Sequence, residues 1–436
     1  MTALAGVAGT TGTAVAANNY QRANGQFDFD EVYDRVGTHC YKWDLHIARF
    51  GRDRIVVPMG IADMDFRSAP VVTEALRKRV DHENWGYLMV PESYKESIVR
   101  WNATRYGEAI DAKLLLNASG VIPAIYSALK AFAPPGSKVI LQAPVYASFY
   151  HVIKRAHCRV EESPMKLAGG RYQMDFEDLE RRIDHDTNVL ILCNPHNPTG
   201  NCWSAADLET LGEICTRRRV VVFADEIHCD FINKGHTYTP YGNLGNEAVV
   251  RNCVSFKSTS KAFNLAATKC AYLYSTNADY IDRIRDAGHD ETVNTLGIVA
   301  SEAAYNEGAD WLDQVAAYID GNMEFARQFI DSEIPLIEWQ KPEGTYLAWL
   351  DTSALAERIG AREMAAEANR TRAAGAAELH PEHMVEKYLV ENAGVQLNDG
   401  YRYGRGGSGC MRMNLATSRQ LVEAALRNIA AATKQA

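Results

Sequence analysis

Ser255–Asn264, SFKSTSKAFN, is a short apolar strand that runs out into hydroxyl residues and then presents Lys261 beside Phe263. A lysine amine at a strand end, with hydroxyl and backbone N–H groups near it to hold a phosphate, suits Schiff-base chemistry. Alone, the stretch also reads as a solvated loop lysine, and Lys257, four residues earlier, is a rival amine. What the neighbouring strands deliver beside it decides between these readings.

Val139–Gln142, Val189–Cys193 and Val220–Ala224 are continuous apolar runs upstream, and Cys270–Tyr274 follows downstream. Helical patterns lie between them: 122–133, a helix from Tyr146, and Ala205–Arg217 with Leu208, Leu211 and Cys215 on one face. Uninterrupted apolar strands separated by amphipathic helices predict an α/β fold with a mostly parallel sheet covered on both faces. In such sheets ligands bind beyond the carboxyl ends of the strands. NPHNPTG follows the second run, and its prolines and glycine impose a turn that aims Asn197 inward. ADEIH delivers Asp225 after the third, and the opening stretch delivers Lys261. Asn, Asp and Lys at three successive strand ends converge on one pocket, and a cofactor with a phenolic oxygen, a pyridine nitrogen and an aldehyde uses each of them.

The chain has 436 residues, 47% hydrophobic and 23% charged, which predicts a folded protein of two or so domains. A net charge of -9 without a basic run argues against nucleic acid or membrane and for a small-molecule partner. The nine cysteines contain no C-x-x-C, as expected of reduced thiols in a cytoplasmic protein. No H-E-x-x-H occurs, the pair His228-Cys229 is solitary, and no metal site is expected. Residues 1–26 read as a mobile tail, lacking a cationic start before Arg22 and any run that could span a bilayer. An arm over 27–60 carries Phe27, Phe29, Tyr41, Trp43 and Leu45, a pattern suited to packing on a neighbour. VPMGIADMDF then ends in Asp63 and Asp65, either an acid–base pair or, as preferred here, caps of a turn and of the helix after Ala69-Pro70. Trp85-Gly86-Tyr87 makes an aromatic turn before a helix with Tyr94, Ile98 and Trp101 on its buried face.

After about residue 306 the character changes. Trp311, Val315, Tyr318 and Met323 lie on a long helix, and strands are expected at Ile334–Trp339 and Thr345–Leu350. The stretch 354–377 is rich in Ala, Arg and Glu and reads as a surface insertion of one helix and a flexible turn, with a lid as the alternative role. Val422, Leu426 and Ile429 mark the closing helix.

NPHNPTG, ADEIH and SxSKAFN, in that order and each about thirty residues apart, resemble pyridoxal-phosphate enzymes of the aminotransferase fold, fold type I. The likeness runs from FDFDEVYDR and IADMDF through WGY, APVYASFY, TYLAWLD and GYRYG to MRMN. That wider set is similar to the cystathionine β-lyase-like C–S lyases of the MalY/PatB type. The resemblance implies a large pyridoxal-phosphate-binding domain over 61–308 and a smaller α+β domain over 309–436, to which the arm contributes.

The resemblance also implies roles. Lys261 links to pyridoxal 5'-phosphate and, once freed by substrate, acts as base and acid at the α-carbon. Asp225 pairs with the pyridine nitrogen, Asn197 donates to the phenolic oxygen, and His228 stands where many relatives place a tyrosine that reaches the same oxygen. A core histidine bonded to a carbonyl remains the alternative for His228. Tyr146 stacks on the ring, while the N–H groups of Val121 and Ile122, with Ser258 and Ser260, hold the phosphate; Pro123 suits a first helical turn. Lys269, eight residues after Lys261, replaces the arginine common in the fold, so it keeps the charge but loses the fork; a strand-end surface lysine is its other reading. Arg412 grips the substrate carboxylate, or else closes an internal salt bridge. Tyr87 reaches the phosphate and substrate from the partner subunit, so a homodimer with shared active sites is expected.

The reaction implied is β-elimination from a cysteine S-conjugate, cystathionine-like or larger, giving thiol, pyruvate and ammonia. Transamination is one alternative. Decarboxylation with oxidative deamination, as in relatives from lincosamide-type antibiotic biosynthesis, is another, and a regulatory binding protein on a lyase scaffold is a third.

Overall fold

The computed structural model describes residues 20–436 apart from 23 and 374. The apolar runs form a seven-stranded sheet in the order Leu115–Ala118, Ala271–Tyr274, Cys253–Lys257, Val221–Asp225, Thr187–Cys193, Lys138–Ala143, Arg159–Pro164. Only Ala271–Tyr274 runs antiparallel to its neighbours, so the sheet is mostly parallel, as its sequence predicts. Alternate residues serve opposite faces. Val139, Leu141, Val189, Ile191 and Phe223 pack with Ile125, Phe132 and Phe149 of two helices, whereas Ile140, Leu190, Leu192, Val222 and Ala224 pack with Leu208, Leu211 and Cys215 of a third. With both faces covered, the strands must be apolar throughout, which explains their unbroken hydrophobic reading.

Register places the strand ends side by side. Cys193 pairs with Asp225, and Asp225 with Phe256, so the three loops that follow leave the sheet at nearly the same level. Gly200 closes the first of these loops at φ +75, and a Cβ there would come within 2.2 Å of Pro342. Glycine is therefore required at that turn.

The second part of the molecule is built on the helix Ala309–Glu333 and a three-stranded antiparallel sheet with Cys410–Asn414 between Leu347–Asp351 and Asn398–Asp399. Val57–Pro58 pairs in parallel with Val395–Gln396, which ties the end of the arm to this part.

Several local expectations change. The tail assigned to 1–26 lies outside the described residues up to 19, and Tyr20 is buried, its hydroxyl donating to Arg67 O at 3.1 Å and accepting from Trp311 Nε1 at 3.1 Å. Ile334–Trp339 is not a strand, save one bridge between Glu338 and Asp351, because Pro335, its second residue, removes a ladder donor and opens a turn with Leu336. The insertion holds two helices, Ser353–Arg358 and Ala361–Arg370, separated by Gly360 in the left-handed region. Leu355, Ala361 and Ala365 are buried, so these helices pack on the body rather than stand off it. Asp63 and Asp65 cap no helix: Pro70–Val80 begins after Ala69 without a side-chain cap. Arg35, Lys42 and Trp43 capture them instead. Among the described residues no helix is long and apolar enough to cross a membrane.

Candidate active site

A cavity of about 490 Å³ opens beyond the carboxyl ends of the strands, at the place the register dictates. Asn197, Asp225, His228 and Lys261 line it, with Ser258, Ser260 and Lys269 along one side. Val121 and Ile122 form its far end and Tyr146 a wall. Arg412 stands one side chain further back, against Asn197. Tyr87 is not part of this cavity within one chain; its side chain is fully exposed, beside exposed Trp85 and Met89.

Lys261 sits on the single-turn helix Thr259–Ala262, capped by Ser258, and its Nζ donates to the Ala62 carbonyl at 2.6 Å. Burial and the Arg412 charge push this amine down to about 8, against the opposing pull of Asp63 and Asp225. Asp225 ends its strand with its carboxylate buried, accepting only the Ile227 N–H at 3.2 Å, and burial pushes it up to about 7. A carboxylate so placed is short of a cationic partner.

Lys257 has a different fate. Its Nζ lies 2.6 Å from Glu108 Oε2 and 3.8 Å from Glu226 Oε2, all three side chains being enclosed. The Glu108 and Glu226 charges hold its pKa above the usual lysine range against burial, and it is structural. Breaking such a buried pair costs about 3–5 kcal/mol because the remaining charges are left uncompensated. The cluster pins the base of the Lys261 loop to the Asp225 strand end, since Glu226 also accepts the Tyr241 N–H at 2.9 Å.

Arg412 donates from Nη1 to Asn197 Oδ1 at 3.1 Å and from Nη2 to Gly60 O at 2.7 Å, while its buried Nε has no partner. Among the described residues no carboxylate pairs with it, so the internal salt bridge does not form. Because Asn197 Oδ1 is taken, its amide nitrogen is the group left to donate into the cavity. His228 is buried with Nδ1 unpartnered, so the carbonyl-satisfied alternative does not hold for that nitrogen, and burial keeps the ring neutral. The helix Val121–Phe132 makes its first bond from Ala124 N–H to Gly120 O, leaving the Val121 and Ile122 N–H groups at the cavity end. Ser258 departs from expectation: its hydroxyl donates to Cys270 O at 2.7 Å, accepts the Ser260 N–H at 3.0 Å and lies 2.9 Å from the Ser260 hydroxyl, so the two serines are engaged with each other and with the Cys270 carbonyl. Lys269, in a left-handed backbone conformation, is exposed and also lines the cavity, so it stands at the surface where the cavity opens.

Sequence reading missed the Ala62 carbonyl and Tyr346, whose hydroxyl donates to that same carbonyl at 3.1 Å. A backbone acceptor has no residue signature. TYLAWLD contained Tyr346 but nothing in the pattern aimed its hydroxyl. Among the described residues no group of three or more His, Cys, Asp or Glu side chains could hold a metal ion.

The aminotransferase class I and II family model matches residues 54–429. The chain therefore belongs to that family, with fold type I and a likeness to the MalY/PatB type of C–S lyase. It is 34% identical over 414 residues to cystathionine beta-lyase PatB of Bacillus subtilis, covering 93% of this chain and 99% of that one. Cystalysin of Treponema denticola, solved with pyridoxal 5'-phosphate, superposes with a TM-score of 0.84 at 29% identity, covering 94% and 99% of the two chains. The pyridoxal-phosphate-bound C–S lyase of Staphylococcus hominis gives 0.80 at 28%, covering 93% and 99%.

The donor set here fits that cofactor. A carboxylate without a cation, an unpartnered histidine nitrogen, a free amide, a helix N-terminus and a depressed lysine amine surround one cavity. They match, in order, a pyridinium, a phenolic oxygen reached by two donors, a phosphate and an aldehyde.

Proposed function

We propose that this protein is a pyridoxal 5'-phosphate-dependent carbon–sulfur lyase that converts a cysteine S-conjugate, cystathionine or a larger thioether, to a thiol, pyruvate and ammonia. The observation that carries the reading is a depressed amine, Lys261, on the wall of the cavity, with an unsaturated buried guanidinium, Arg412, one side chain behind that wall against Asn197. An α-amino acid needs a fork for its carboxylate and a base at its α-carbon. When bound, the cofactor supplies an aldehyde that links to amines and a ring that draws electrons from the Cα–H bond.

The protein's own part follows from the geometry. Asp225 would hold a proton on the ring nitrogen, and its own carboxyl would be lowered in return from the value that burial favours. Asn197 and His228 would donate to the phenolic oxygen, Tyr146 would cover one face of the ring, and Val121, Ile122, Ser260 and Lys269 would hold the phosphate. Arg412 turns the substrate so that its α-hydrogen faces the Lys261 amine, which takes the proton. Likeness to PatB and to the S. hominis lyase supports sulfur as the leaving group. The proposal includes a second copy of the chain, with the exposed Tyr87 reaching the neighbouring site.

Incubation with cystathionine and bulkier cysteine thioethers tests this. Equal amounts of thiol and pyruvate are expected. Keto acid formed only with an amino acceptor, or carbon dioxide and aldehyde without pyruvate, would replace the lyase reading with transamination or oxidative deamination.

A further inference from the structure

Residues 60–65 carry on their backbone both groups on which the proposed reaction depends. Arg412 donates to the Gly60 carbonyl at 2.7 Å and Lys261 to the Ala62 carbonyl at 2.6 Å. Asn414 Nδ2 spans the carbonyls of Ile61 and Asp63, at 2.7 and 2.5 Å. Asn264 takes Met64 both ways, accepting from its N–H at 3.0 Å and donating to its carbonyl at 2.9 Å.

The acidic side chains of the segment are held by the arm. Arg35 donates from Nη1 and Nη2 to Asp63 Oδ1 and Oδ2 at 3.1 and 2.9 Å, and from Nη1 to Asp65 Oδ1 at 2.8 Å. Lys42 Nζ lies 2.6 Å from Asp65 Oδ2 and 3.9 Å from Asp63 Oδ1, and Trp43 Nε1 donates to Asp65 Oδ1 at 3.0 Å. Burial alone would raise the Asp65 carboxyl, but Lys42 and Arg35 outweigh it and hold it below the usual range. Two cations and two carboxylates thus form a neutral, largely enclosed cluster. Buried ion pairs contribute little beyond what apolar packing of the same volume would, so stability is a poor account of it. Placement is a better one, because the cluster fixes the segment that receives the catalytic amine.

We propose that Arg35 and Lys42 are positioning residues for Lys261: through Asp63 and Asp65 they hold the Ala62 carbonyl against its amine and cancel the carboxylate charge beside it. This rests on the reading of Lys261 as the cofactor-linking amine. Besides Asp63, the titratable and charged groups around that amine are Asp225 at the end of the Val221–Asp225 strand and His228 after it, Arg412 of Cys410–Asn414, Lys269 and Tyr146 on the cavity wall, and Tyr346 behind Ala62. Asp63 and Asp225 favour the ammonium form, while burial and Arg412 oppose it. Removing Arg35 leaves the cluster at −1 and should raise the amine's pKa; removing the Asp63 charge leaves it at +1 and should lower it.

The test uses full-length protein freed of cofactor, with lysines reductively ¹³C-methylated and titrated by NMR. The Lys261 signal is assigned by its absence from Lys261→Ala. Arg35→Met is expected to move its titration up by about 1 unit and Asp63→Asn down by a similar amount. The double variant, neutral again, should return near wild type. Shifts of the two single variants in the same direction, or none in folded protein, would overturn the proposal. Should Arg35→Met fail to fold, an unshifted Asp63→Asn overturns it alone. No turnover is involved, so opposed shifts in a protein that releases no pyruvate would uphold the positioning role while removing the lyase reading.

Discussion

Lys261→Ala is expected to lower kcat/KM on a cleaved S-conjugate by about 10⁴-fold or more, with folding and bulk cofactor content little changed. Two functions are lost at once: the amine that links to the aldehyde and the base that takes the α-proton. The flanking helix Thr259–Ala262 keeps its Ser258 cap, and Phe263 remains enclosed, so the local fold does not depend on the amine. Its one hydrogen bond is to the Ala62 carbonyl, which Tyr346 continues to satisfy. Added alkylamines should restore part of the rate, because a small base can enter the vacated space. Steady-state kinetics with and without methylamine checks this; activity within tenfold of wild type would place the base elsewhere.

Asp225→Asn is expected to lower kcat by about 10³-fold, equivalent to about 4 kcal/mol of barrier, while substrate KM changes little. The substitution keeps shape and leaves an acceptor for the Ile227 N–H, but removes the one acidic side chain that lines the cavity among the described residues. Asp225 is enclosed and burial pushes its carboxyl up to about 7 against the opposing Ile227 N–H and Lys261 charge, so a cation arriving there favours its ionised form. The sign is then set: a cofactor ring nitrogen protonated beside Asp225 lowers the carboxyl, and the carboxylate in turn raises the ring nitrogen. With Asn the ring is expected to titrate at lower pH, seen as a shift in the pH dependence of the bound cofactor's absorbance. An unchanged titration would mean that Asp225 does not touch the ring nitrogen.

The fold and most of the site were legible in the sequence for one physical reason. In a parallel sheet covered on both faces, strands must be continuously apolar, and the first polar residues after each strand fall at the same edge. Asn197, Asp225 and Lys261 announce themselves by following such runs, and the register of Cys193, Asp225 and Phe256 is what converts the pattern into a cavity. The arm and its partners were less legible. Asp63 and Asp65 stand before a proline-led helix and look like caps, yet their partners Arg35, Lys42 and Trp43 lie twenty or more residues away, and periodicity carries no such information. Lys261 meets the Ala62 carbonyl across 199 residues of chain, and Tyr346 meets it across 284. Pro335 misled by sitting in an otherwise convincing apolar run, where one missing donor outweighed β-propensity.

The assignment of one lysine among three candidates is the centre of this account, and it can be read directly. Lys257 is tied into Glu108 and Glu226, Lys269 lines the cavity from an exposed position, and Lys261 combines a depressed amine with a place on the same cavity wall as Asp225. Borohydride reduction of the cofactor-loaded protein, followed by proteolysis and mass spectrometry, locates the lysine to which pyridoxal phosphate becomes irreversibly bound. The account predicts the label on Lys261 within SFKSTSKAFN; label on Lys257 or Lys269, or none on a protein that retains the cofactor, would contradict it.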